Sequence, residues 1–310
     1  MGSVRFRALA LAVAATASLG ASAAVAAPAK AKQAKPATQV VRINFQAVSG
    51  TTPVTCGTPI TGLGTTNATA QLKDLRFYIS NVRMMRANGT TAPLKLLKDD
   101  TYNYTQGGNR TTLIDLENAT GMCQGDAGTN SVIVGRVKRG TYVGARMYMG
   151  VPHPLNHTDT VTAPAPFNLA SMTWSWQTGR KFAKIEVTDP DGATGTWPMK
   201  TFNVHLGSTG CFGNPAGGEA VNCMNSNRMS IMLQRFNPVK QKVLIDVQQL
   251  LRGNDVTQNR AGASGCMSGP TDPECEAVFE AMDINWLSSG LGTGTSGLGV
   301  QQTVFRAAAK

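Results

Sequence analysis

The sequence predicts an all-β fold, a single sandwich-like domain with long loops and about three disulfides. Three observations carry that expectation. Short segments alternate apolar and polar residues, clusters of Gly, Pro, Asn and Asp separate them, and six cysteines fall into pairs by position. Alternation with period two describes a sheet with one buried face, and the clusters supply the turns. The length suits one large domain, since sandwiches of about 200–250 residues are ordinary single domains.

Arg5 and Arg7 precede an Ala/Leu/Val run from Ala8 to Val25, and Ala24-Val25-Ala26 offers the small residues a signal peptidase needs. Residues 1–26 therefore read as a removed secretory signal. Gly20 and many Ala, Ser and Thr residues make the run a poor permanent anchor, which needs about 20 strongly apolar residues. Residues 27–39 (APAKAKQAKPATQ) have no large apolar side chain and read as a flexible linker. The domain then spans 40–310, in an exported bacterial protein of the periplasm or exterior.

Strands are predicted at Val40–Val48, Leu75–Val82, Val132–Val137, Tyr142–Met149, Phe182–Val187, Thr201–Leu206, Arg228–Leu233 and Lys242–Val247. Helical periodicity is confined to short pieces, Val247–Arg252 after Asp246 and Glu274–Ala281. Gly290–Gly299 reads as a flexible loop, and Val300–Phe305 as a returning strand. The cysteines pair by position as Cys56 with Cys123, Cys211 with Cys223, and Cys266 with Cys275. An even count in an exported chain favours disulfides, each worth about 2–4 kcal/mol. With all six oxidised, no thiolate is left for a metal or a nucleophile, and no CxxC spacing is present.

The formal charge of +11 overstates the charge of the domain, because five basic residues and no acidic ones lie in residues 1–37, leaving +6 for the rest. Nothing gathers that excess into a basic stripe with interleaved aromatics, so nucleic acid is not an expected partner. No GxSxG elbow, glycine-rich phosphate loop or paired-acid pattern appears, and Asp189-Pro-Asp191-Gly192 reads as a tight turn between strands. The chain is not expected to be an enzyme.

Metal binding fits better. His153 and His157 form an HxxxH spacing, but Pro152 and Pro154 argue against a helix interior, and Pro154 stands where a hydrolytic motif needs glutamate. His157 and His205 lie near Met172, Met199, Trp174 and Trp176, with Met147 and Met149 upstream. Soft thioethers select Cu(I), and imidazole also suits copper. The plainer reading makes the methionines core filler, the tryptophans packing, and His153 an exposed loop residue.

LKDLRFYISNVRMM (Leu72–Met85), GVPHPLNHTD (Gly150–Asp159), TAPAPFNLASMTWSWQTGRKF (Thr162–Phe182) and HLGSTGC (His205–Cys211), followed by the later cysteines, resemble the MbnP-like family. The likeness, which runs from about Val41 to Asp283, is to exported bacterial proteins also described as the four-Cys member of a metallo-mystery pair. It implies a copper-binding protein, with a role in copper acquisition or homeostasis, whose partner is a MauG-like di-haem cytochrome c peroxidase. It further implies that this partner oxidises a tryptophan to kynurenine, which joins histidines around one copper. Carried onto this chain, the resemblance points to His157 and His205, to Trp174 or Trp176 as the modified residue, and to Met172 as a thioether ligand, with His153 an additional candidate. Thr173, Phe167 and Arg180 depart from the family pattern, and Trp197 and Trp286 lie outside the motif. The competing function is an exported structural or adhesive β-domain that binds a glycan or a protein.

Overall fold

The computed structural model describes residues 1–2, 37–175, 177–214, 219–285, 297 and 299–310. The predicted signal, most of the linker, Trp176, Trp286 and most of the Gly290–Gly299 segment lie outside them. Pro36–Lys310 forms one compact unit.

Among the described residues two large sheets dominate, as the alternating segments predict. The six-stranded sheet runs Phe305–Ala309, Gln241–Asp246, Thr38–Ser49, Val132–Lys138, Lys95–Leu96, with Thr52–Pro53 folded back on Thr38–Ser49. The ten-stranded sheet has the path Met229–Gln234, Gly144–Met149, Ala68–Met85, Ala183–Thr188, Thr201–Leu206, Gly265–Cys266. Ala68–Met85 is its spine. Along 18 residues it pairs successively with five other strands, and a register shift opposite Arg146–Tyr148 coincides with Asn81 at φ 53°. Asn tolerates that left-handed backbone, and the bulge lets one strand serve several neighbours.

The two sheets meet through aromatic edges. Phe77 of the spine packs edge-on against Phe45 (5.9 Å) and Phe305 (5.6 Å) of the other sheet. Leu75, Phe77 and Ile79 are buried on this side. Because side chains alternate, Asp74, Arg76, Tyr78 and Ser80 project from the opposite, outer face. That face is buried as well, all four being at most 1 % exposed. The roof over it is the 150–182 segment: the Phe167 ring stacks on Tyr78 at 5.5 Å, and the Tyr78 hydroxyl donates to Pro166 O at 2.9 Å.

Most predicted strands fall within one or two residues of those observed, and Thr201–Leu206 coincides. The first strand starts at Thr38, two residues before the domain boundary read from the sequence. The spine extends seven residues upstream of Leu75, and Asn109–Asp115 forms a strand that the pattern did not announce. Six consecutive residues of that strand, from Arg110 to Asp115, are half-buried or buried, so its alternation is erased. The closing strand is Phe305–Ala309 rather than Val300–Phe305. The helix after Asp246 forms as Val247–Leu251, with the Asp246 carboxylate accepting from Gln249 N, and the second helix is Cys275–Ala281. All three disulfides join the expected partners.

Candidate metal centre

A row of charge crosses the outer face of the larger sheet. Backbone register sets His205 opposite Lys184, Lys184 opposite Arg76, and Arg76 opposite Asp115. Glu186 and Asp74, two residues along their strands, share that face. His205 Nε2 lies 2.7 Å from Glu186 Oε1, the oxygen that also meets Lys184 Nζ at 2.9 Å. Burial by itself would raise the Glu186 pKa, but the His205 bond and the Lys184 charge hold it at about 2. The carboxylate is therefore ionised and can only accept, so Nε2 of His205 carries the proton. Burial lowers the His205 pKa below its ordinary value, against the pull of Glu186, which keeps the ring neutral. Its Nδ1 then bears the lone pair, in the carboxylate–histidine arrangement that orients metal ligands.

His157 is fixed by different means. The HxxxH segment forms only a single four-residue helical turn, His153–Asn156, with His157 at its C-terminal cap, so neither histidine lies in a helix interior. Pro154 sits at the first positions of that turn, where no intrahelical N–H is required. The turn brings the His153 and His157 ring centroids to 5.5 Å. Asn156 orients His157. Its Oδ1 accepts from Arg180 N at 2.9 Å, which fixes the amide so that Nδ2 faces His157 Nε2 at 3.0 Å. An amide nitrogen only donates, so Nε2 of His157 is the unprotonated nitrogen.

Two further residues build this corner. Gly179 has φ +90°, and a Cβ there would lie 2.5 Å from Asn156 Nδ2, so only glycine lets the amide rest on the backbone. Arg180 is fully buried and gives Nη1 to Asn156 O (2.7 Å) and Thr158 O (2.8 Å) and Nη2 to Phe167 O (2.8 Å). One guanidinium thus ties both ends of the roof. Its pKa is lowered by desolvation.

The MTWSWQTGR segment is a small hairpin, Thr173–Ser175 against Gly179–Arg180. Trp174 is half-buried over Gly207, where a Cβ would fall 2.2 Å from Cζ3 of its indole. Gly207 is two residues past His205, so Trp174 covers the same outer face. Met172 is fully buried at the start of the hairpin. Met147, Met149, Met199 and Trp197 belong to the core, as does Met172, in line with the plainer reading of the methionines. His153 is exposed.

The structure therefore gathers the predicted residues into two groups. His153 and His157 stand at the Cys211–Cys223 disulfide, with Cys223 Sγ 3.3 Å from His157 Nε2. His205 and Trp174 stand at the end of Thr201–Leu206. Asn156 connects them by donating also to Ser208 Oγ at 3.5 Å, three residues beyond His205. Sequence reasoning missed Asn156, Gly179, Arg180 and Glu186. Asn156 was in view as the residue before His157, and Arg180 as a departure from a family pattern; Glu186 left only the trace of a carboxylate inside an apolar strand.

The geometry can be set beside known proteins. A family model described as MbnP matches residues 38–268. No curated protein matches this chain. Among solved structures, MbnP from Methylosinus trichosporium is similar at TM-score 0.75 and 32 % identity, over 88 % of this chain and 99 % of that one. On the family model, which spans most of its length, and on that structural likeness, the chain belongs to the MbnP family.

Proposed function

We propose that this is an exported copper-binding protein, not an enzyme, that holds Cu(I) in copper acquisition or homeostasis. The observation that carries the reading is that both rings are pre-oriented: His205 holds its protonated Nε2 against Glu186 and leaves Nδ1 for a metal, and His157 has an unprotonated Nε2 whose bond from Asn156 a metal would replace. Neutral, pre-oriented imidazole is what copper requires of histidine. Met172 and an oxidised tryptophan of the hairpin, Trp174 or Trp176, would complete the site, with His153 in reserve. Three disulfides suit an oxidising compartment, and no helix among the described residues is long and apolar enough to cross a membrane.

Intact indole offers no basic lone pair, so tryptophan is a poor ligand. Opening the ring to kynurenine exposes an aniline-type amine and a carbonyl. A MauG-like di-haem partner would supply the oxidising equivalents. The test is co-expression with and without that enzyme, followed by mass spectrometry of the peptide carrying Trp174 and Trp176. The expected gain is about 4 Da, two oxygens added and one carbonyl lost, together with copper in the purified protein. Metal-free protein with unaltered tryptophans from copper-replete cells expressing both would overturn the reading and favour an adhesive β-domain.

A further inference from the structure

The Cys211–Cys223 disulfide belongs to a second arrangement of ligands that the copper reading does not use. His157, Cys211 and Cys223 have ligand atoms that all lie within 4.8 Å of one another. The nitrogen facing Cys223 Sγ at 3.3 Å is the Nε2 that accepts from Asn156 Nδ2 and so carries no proton; a metal there would take the place of that hydrogen bond. We propose that opening this disulfide converts the corner into a soft-metal site, with two thiolates and the His157 imidazole as ligands and His153 as the nearest fourth donor.

Three features of the fold favour the conversion. The bridge joins directly opposed residues of a short two-stranded ribbon, Thr209–Phe212 against Asn222–Asn225, which has backbone pairs on both sides of the bond. The sulfurs would then separate to about 3.7 Å, the spacing set by metal–sulfur bonds of about 2.3 Å in tetrahedral geometry, and the ribbon keeps them that near. Both cysteines are half-buried, so a reductant and a metal can reach them. By contrast, Cys266 and Cys275 are wholly buried, and Cys123 is buried opposite Cys56. A cavity of about 270 Å³ opens beside the corner, lined by His153, Cys223, Ser208 and Arg228 among others, and gives an entry path. Cys56, Cys123 and Glu117 form the other ligand-spaced group among the described residues, but it has no imidazole.

The chemistry balances with a dithiol as reductant. Thiol–disulfide exchange breaks the Cys211–Cys223 bond, leaves two thiols on the protein and closes a disulfide in the dithiol. A divalent d10 cation then displaces the two thiol protons and is held by two sulfurs and Nε2. Neither step involves tryptophan oxidation, Met172 or His205. The site shares His157, and His153 as a reserve donor, with the copper reading, but its two sulfur ligands make it testable separately.

The experiment uses full-length mature protein made without any haem partner, so that its tryptophans are unmodified. Mild dithiol treatment, then alkylation and peptide mapping, identifies the bridge that opens first; Cys211–Cys223 is expected. Cadmium is the probe, read by thiolate-to-metal absorption. One equivalent should bind the reduced protein, none the oxidised, and bound cadmium should protect Cys211 and Cys223 from alkylation. His157→Ala should weaken binding at least tenfold, His205→Ala should leave it unchanged, and Cys223→Ser should abolish it. Because Cys223→Ser could unfold the ribbon, the alkylation footprint on unmutated protein provides an independent reading. Protection of Cys56 and Cys123 instead, or affinity indifferent to His157→Ala, would overturn the proposal.

Discussion

His157 and His205 are chemically the same side chain held in opposite ways. His205 grows from a central strand, is 6 % exposed, and is oriented by a carboxylate that its bond to the histidine and the Lys184 charge keep ionised. His157 follows a four-residue helical turn in a roof segment, is half-buried, and is oriented by an uncharged amide that a backbone N–H locks in place. The sheet fixes the first through register and charge. A chain of hydrogen bonds ending at one buried arginine fixes the second. The difference teaches that the His157 side should fail first when the roof is loosened, while the His205 side should answer to changes in charge.

The largest effect is expected from Arg180→Ala. It strips donors from three buried or half-buried carbonyls, and losses of about 1–3 kcal/mol per unsatisfied group add up to several kcal/mol. Denaturant midpoints would measure it, and Arg180→Lys should recover only part, since an ammonium lacks the fork that reaches both ends of the roof. Next comes Glu186→Ala, which frees the His205 tautomer. Copper affinity should fall about 10–100-fold, the usual cost of removing an outer partner of a ligating histidine, while histidine NMR shows His157 unmoved. An equal disturbance of both rings would break the comparison.

Gly207→Ala is a smaller probe. The added methyl meets the Trp174 indole and Arg180 O, so overpacking should cost about 1–3 kcal/mol and shift the tryptophan fluorescence. A separate, pH-dependent effect concerns Asp115, at the far end of the charged row. Burial, reinforced by Glu117 and only partly offset by Arg76, pushes its carboxyl up to about 8 from 3.8. The folded state therefore keeps a proton that the unfolded chain has lost, so this group's stabilisation is full below pH 3.8 and disappears as the pH rises towards 8. Asp115→Asn should flatten that part of the stability–pH curve, as measured by urea unfolding at several pH values.

Much of the sheet architecture was legible because Val40–Val48 and Leu75–Val82 alternate, and the disulfides because an even number of cysteines falls into pairs in chain order. Asn109–Asp115 was not legible, since both its faces are covered and the pattern that marks a strand is lost. The histidines were visible as candidates, but their orienting groups were not. Glu186 acts on His205 only because the strands containing them are paired, and Arg180 reaches three carbonyls that are 13 to 24 residues away in sequence. Such contacts are made by register and closure, which no local pattern records. The prolines around His153 allow a first helical turn but no helix interior, and the structure has only that one turn.

The interleaving of Leu75, Phe77 and Ile79 with Arg76, Tyr78 and Ser80 has a consequence for how this chain can change. Inserting a single residue ahead of Leu75 would swap the two faces of the spine, driving a guanidinium into the greasy interior and turning phenylalanine towards the histidine side. Cohesion and chemistry are printed on the two sides of one ribbon, so the length of that ribbon is far less negotiable than the identity of most residues on it.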